Sequence, residues 1–289
     1  MAAQEQQICM VLPSKAEPGV QRQHAVRRYE HGQFRPLADT VVREARIELN
    51  INQGQTRLAM LCLPRDLDLL AIGFLIGEGA LRSMNDLRNV IVDSSGKEVL
   101  VEGDFDAHAL DMLSRRWTWG SGCGSGGTSR DLDRPAYQRV AEGTPVRPQD
   151  ILNVFREFQS QQELWRSTGG VHACGLACQE RLLAVTEDVG RHNAFDKLIG
   201  LCATQGFSLD DKYVITTGRL SAEIVSKAVA NRVSTLASRC AATGLAIELA
   251  HRFGMTLVGF VRGERLNVYT GYHRIVDGSA QGCELDRGA

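Results

Sequence analysis

A thiol that carries a group between two partners must be reachable by both, and Cys123 is flanked by glycine in Ser121-Gly122-Cys123-Gly124-Ser125-Gly126-Gly127. Arg115, Arg116 and Arg130 are close in sequence and would lower the thiol pKa, favouring the nucleophilic thiolate. The bland alternative is a free cysteine in a flexible linker; a reactive thiol needs this access, whereas a buried structural one does not. Gly122, Gly124 and Gly127 also match G-x-G-x-x-G in form. A dinucleotide fingerprint requires a strand running into the turn and a helix leaving it. Here Trp117-Thr118-Trp119 precedes and Thr128-Ser129-Arg130-Asp131 follows without an apolar helix, so the match is rejected.

Three further segments have the chemistry of anion sites. In the stretch from Glu187 to Lys197 a strand is followed by a helix, so Gly190, Arg191, His192 and Asn193 would present backbone N–H groups at the positive end of the helix dipole. Arg191 and His192 add charged donors. The structural alternative has Asp188 capping the helix and Arg191 paired with it. The segment from Thr216 to Glu223 repeats the arrangement, with Thr217, Gly218 and Arg219 in the turn and Ser221 as a cap candidate. Phe260-Val261-Arg262-Gly263-Glu264-Arg265 ends a later strand with two arginines around a glycine turn, for which a hairpin with solvated arginines is the plain alternative. In an open parallel sheet such turns share the carboxyl edge, where ligands bind, and phosphate suits helix N-termini with arginines.

No metal site is expected. His172, Cys174 and Cys178 fall on even positions of one strand candidate, and side chains two apart along a strand stand about 6.6 Å from each other, too far to close easily on one ion. The zinc-deaminase signature is absent as well, since Cys174 stands where H-x-E needs a glutamate.

The elements that must hold these residues fall in two blocks. Residues 1–35 are polar and aperiodic and read as a mobile N-terminal arm. Residues 36–116 form a small α+β unit. Alternation from Val41 to Ile51, a turn at Asn52-Gln53-Gly54 and a strand over 56–63 suggest a hairpin. Pro64 then opens a helix, and strands over 89–93 and 98–101 and a helix over 106–116 follow. Residues 117–143 form a glycine-rich loop carrying Cys123. Residues 144–289 alternate helix and strand, beginning with one helix up to about Trp165. Repeated crossovers predict a mostly parallel sheet with helices on both faces and 266–270 as an edge strand.

Composition limits the classes. The chain has 289 residues, 43% of them hydrophobic, enough for one large or two ordinary domains. Lys and Arg number 33 against 34 Asp and Glu, a net charge of −1, so no global field favours nucleic acid or an anionic membrane. The opening residues show neither a basic n-region nor an apolar h-region, which predicts a cytoplasmic protein. The longest apolar stretch, 67–81, is interrupted by Asp68 and Glu78 and falls short of the roughly 20 residues of a membrane helix. Eight scattered cysteines fit reduced thiols.

Taken together, Thr168-Gly169-Gly170-Val171-His172-Ala173, the Arg-His-Asn-x-x-Asp-Lys motif at 191–197, Thr217-Gly218-Arg219-Leu220-Ser221 and the stretch from Val258 to Thr270 closely resemble the formate dehydrogenase accessory sulfurtransferase family, FdhD. The resemblance runs from about Leu37 to Ile275. It implies a smaller N-terminal α+β domain, a three-layer cytidine-deaminase-like α/β C-terminal domain and a homodimer. It implies further that a cysteine desulfurase delivers persulfide sulfur to Cys123, which passes it to the molybdenum bis(molybdopterin guanine dinucleotide) cofactor of a formate dehydrogenase, with Phe260 to Arg265 in the cofactor-binding segment. The alternative is a molybdenum-cofactor-binding chaperone without chemistry. In one respect the chain departs from the family: its loop commonly carries Cys-x-x-Cys, and here Gly126 occupies the second position. A single thiolate can both accept and pass on sulfur, so Cys123 alone suffices for a carrier.

Overall fold

The structure is a computed structural model and describes residues 19–114, 118–119 and 138–276. It begins with a two-stranded ribbon, β1 (Gln21–Glu30) and β2 (Gln33–Val42), paired antiparallel from Gln21–Val42 to Glu30–Gln33. His31 and Gly32 make the turn at φ 50° and 81°, the left-handed backbone that matches strand twist in a two-residue hairpin. The expected arm over 1–35 is thereby corrected from Gln21 onward. Most ribbon side chains are exposed on both faces, so the apolar alternation that marks a half-buried strand is missing. Tyr29 and Phe34 meet at its tip with their rings tilted 56° and centroids 5.1 Å apart.

The predicted strand over 41–51 divides between two sheets. Val42 ends β2 and Ala45 opens β3 (Ala45–Ile51), which forms the expected hairpin with β4 (Thr56–Cys62). Helix α1 (Leu67–Gly77) follows, then β5 (Leu87–Val92), β6 (Glu98–Gly103), α2 (Ala107–Ser114) and β7 (Thr118–Trp119). The five strands form one sheet in the order β5-β6-β3-β4-β7. The predicted loop from Trp117 therefore contributes a short strand before leaving the described residues, and Cys123 lies outside them.

In the second unit α3 (Pro148–Ser160) and α4 (Glu163–Thr168) replace the single helix expected up to Trp165. The reason lies far along the chain. The carboxylate of Glu187 accepts hydrogen bonds from Leu164 N (3.2 Å) and Trp165 N (3.1 Å), so a new helix starts on a buried acid. Next come β8 (His172–Cys178), β9 (Arg181–Asp188), α5 (Arg191–Gln205), β10 (Tyr213–Thr216), α6 (Ala222–Ala230), β11 (Thr235–Ser238), α7 (Gly244–Arg252), β12 (Thr256–Arg262) and β13 (Arg265–Thr270). Their sheet runs β13-β12-β11-β10-β8-β9. Strands β10, β11 and β12 are parallel, but β8 is antiparallel to both β9 and β10, and β13 to β12. The expectation of a mostly parallel sheet is corrected accordingly: the two-residue turns Gln179-Glu180 and Gly263-Glu264 are too short for a crossover. Strand β13 lies on an edge, as predicted. Helices α5, α6 and α7 pack on one face of the sheet and α3 on the other.

The two units meet along α1 and α5. An ideal Cβ on Gly73 would lie 1.8 Å from Asp196 O, and one on Gly200 would lie 2.0 Å from Leu69 O, so the helices touch backbone to backbone. Nearly every α1 residue is apolar because the helix is covered from two sides.

Candidate functional site

Strand direction brings the singled-out segments together. Strand β9 runs the same way as β10, β11 and β12, so the carboxyl ends of all four share one sheet edge, where the amino end of β8 also lies. Helices α5, α6 and α7 start there, each without a side-chain cap hydrogen bond from its N-cap residue, respectively Gly190, Ser221 and Thr243. Three positive helix ends therefore face the same edge. Four arginines stand around it: Arg191 at the start of α5, Arg219 after β10, Arg239 after β11 and Arg262 at the end of β12.

Arg191 is buried, its Nη2 3.7 Å from Glu223 Oε2, and His192 Nε2 is 3.3 Å from the same oxygen. Asp188 accepts from Gly190 N (2.9 Å). Gly218 leaves room for the arginine stem, since a Cβ there would sit 3.0 Å from Arg191 Cβ and Cδ. The Thr217-Gly218 turn is braced from β11: Ser238 Oγ donates to Gly218 O (2.6 Å) and Cys240 Sγ lies 3.3 Å from Thr217 O. Arg262 Nε donates to Arg239 O (2.8 Å). The Arg262 guanidinium lies over Phe260 (5.5 Å) and that of Arg239 over Trp165 (5.3 Å). Gly263, Glu264 and Arg265 complete the exposed β12–β13 turn.

Two residues singled out from sequence are committed elsewhere. Val261 is 1% exposed and packs in the core beneath the sheet. The Asn193 amide donates to Leu61 O (2.8 Å) and Asp188 Oδ1 (3.0 Å), tying α5 to β4. The motif thus divides: Arg191 and His192 reach the edge, while Asn193, Asp196 and Lys197 bind the two units together. Lys197 Nζ sits 2.7 Å from Asp188 Oδ2 and donates to Leu63 O (3.2 Å). Lys227 pairs with Asp196 at 2.5 Å, with Glu78 after α1 at 3.9 Å.

Glu223 closes the Thr216–Glu223 segment at this edge, as expected, and it is joined there by Trp165 and Arg239, which the sequence does not mark, and by His172, which the sequence suggests only as a metal ligand. His172 Nδ1 is 3.2 Å from Thr217 Oγ1, and the ring's pKa is lowered by burial first, then by Arg191 and Arg239, against the pull of Asp188. Burial also pushes the Cys62, Cys174 and Cys202 thiols up to about 12. These three are expected to resist iodoacetamide at pH 8 in the native protein and to react after unfolding, which peptide mapping would check; rapid native labelling of Cys174 would contradict the packing described.

The fold is mixed α/β and presents a basic, glycine-lined sheet edge. The chain belongs to the FdhD/NarQ family, whose model matches residues 42–276. It is 35% identical over 250 residues to the sulfur carrier protein FdhD of Wolinella succinogenes, covering 86% of each chain. With the protein of the same name from Bacillus pumilus it shares 33% identity over 264 residues, 90% of this chain and 99% of that one. A solved structure of a proposed formate dehydrogenase accessory protein from Desulfotalea psychrophila superposes with a TM-score of 0.71 at 25% identity, over 89% of this chain and 100% of the other. Among the described residues no helix is long and apolar enough to cross a membrane.

Proposed function

We propose that the protein is a sulfur carrier for formate dehydrogenase maturation, a sulfurtransferase that accepts persulfide sulfur on Cys123 and passes it to the molybdenum bis(molybdopterin guanine dinucleotide) cofactor held at the sheet edge. The observation that carries the reading is the convergence of three helix starts and Arg191, Arg219, Arg239 and Arg262 on one edge, in a chain whose relatives are named sulfur carriers. A guest rich in phosphate and purine suits that edge. In the loading step the Cys123 thiolate attacks the terminal sulfur of a cysteine desulfurase persulfide. A new S–S bond forms on Cys123 and the donor cysteine leaves as thiolate. Gly126 in place of a second loop thiol means that Cys123 does this alone. The reading extends to a cytoplasmic homodimer and to cytidine-deaminase-like kinship of the second unit, for which its helix–sheet–helix layering speaks.

Incubation with a cysteine desulfurase and cysteine, followed by intact mass spectrometry and peptide mapping, should place one added sulfur on the Cys123 peptide and none in Cys123→Ala. An unmodified Cys123 beside a demonstrably active desulfurase would instead favour a cofactor chaperone without chemistry.

A further inference from the structure

His172 stands apart from the arginines in that its charge can change. It is half-buried at the start of β8, opposite Asp188 in the sheet register. Its Nδ1 is fixed 3.2 Å from Thr217 Oγ1, which leaves Nε2 as the second ring donor. Thr217 can serve either protonation state without moving a heavy atom. Its hydroxyl can donate to Nδ1 of the neutral ring, or turn to Ala173 O at 3.5 Å and accept Nδ1–H of the imidazolium, while still accepting from Ala173 N at 3.0 Å.

The surroundings lower the ring's affinity for a proton. Arg191 on α5 and Arg239 after β11 oppose a further positive charge, and only Asp188 on β9 favours one. Glu223 Oε2 also lies 3.7 Å from Arg191 Nη2 and 3.3 Å from His192 Nε2. An anion set against Arg191 and Arg239 reverses this balance, because it screens both guanidiniums and adds negative charge within reach of the imidazole.

We propose that His172 is a binding residue whose protonation is coupled to ligand: a diphosphate-bearing anion docks against Arg191 and Arg239 and draws one proton from solvent onto the His172 ring. The inference rests on the anion-binding reading of the edge. The sign follows directly. The ring binds its proton more tightly in the complex than in the free protein, so affinity is highest at low pH and weakens by up to about tenfold per pH unit as pH rises between the two pKa values.

Isothermal titration of the full-length protein with guanosine diphosphate, in two buffers of different ionisation enthalpy, should show net proton uptake in the wild type. In His172→Asn the uptake should drop to the nucleotide's own contribution. A second reading on the unaltered protein, the pH titration of the His172 ring proton by NMR, should move to higher pH when the nucleotide is added. Binding with equal proton uptake in both proteins, an unmoved NMR titration, or uptake lost in His192→Asn but kept in His172→Asn would overturn the coupling. Absence of nucleotide binding by the wild type would overturn the reading of the edge itself, and the coupling with it.

Discussion

Lys197→Met is expected to destabilise the protein by about 3–5 kcal/mol, because it leaves a buried carboxylate without its counter-ion. Lys197 and Asp188 are both 0% exposed at the side chain and 2.7 Å apart. Asp188 would keep its hydrogen bonds from Leu63 N, Gly190 N and Asn193 Nδ2, but these carry partial charges and do not neutralise it. Part of the loss should be recovered by Asp188→Asn combined with Lys197→Met, which removes both charges, although the new Nδ2 then faces a donor that the carboxylate accepted. Urea unfolding of the three proteins checks this. A single substitution costing under about 1 kcal/mol, or a double variant no better than the single, would show that the pair is not what holds α5 to β4.

The second large effect concerns a single methyl group. Inside an exposed helix Gly→Ala is stabilising by roughly 0.5–1 kcal/mol, since alanine has less backbone entropy to lose. At Gly200 the sign should reverse, with a loss of about 3 kcal/mol or more, because the new Cβ would stand 2.0 Å from Leu69 O, a backbone atom that moves only if α1 moves. Gly73→Ala should behave alike, meeting Asp196 O at 1.8 Å. Gly244 in α7 is the control, since nothing lies within 4 Å of a Cβ placed there, and Gly244→Ala should be neutral or mildly stabilising. Thermal unfolding would rank the three variants; a neutral Gly200→Ala would mean that the helices sit further apart than described.

These two predictions also show where sequence reading stopped. The hairpin at Asn52-Gln53-Gly54 and the strand–turn–helix repeats around Gly190 and Gly218 could be read locally, because period and glycine mark them. The division of labour within the 191–197 motif could not. Asn193 looks like a ligand group, and Asp196 and Lys197 like mere members of its motif, until Leu61, Leu63 and Glu78, more than a hundred residues earlier, are seen beside them. The antiparallel flanks were readable in principle, since Gln179-Glu180 and Gly263-Glu264 leave no room for a crossover. The β1–β2 ribbon had one usable sign, His31-Gly32, and lacked the alternation that would have supported it. The place of His172 at the edge could not be read, because it depends on Thr217, Arg191 and Arg239, which chain order scatters and the sheet edge gathers.

Helix α1 is shared property. Leu70 and Leu75 complete the core under the first sheet, Ile76 packs against the cores of both units, and Gly73 admits α5 on the other side. Neither unit can open alone without baring one flank of this helix and parting Lys197 from Leu63. Melting is therefore expected to be a joint event, and α5, whose first residues line the basic sheet edge, inherits its rigidity from strands of the other unit. An anion bound there, as proposed, would stabilise the first sheet as well, so the two units would respond to it as one cooperative body.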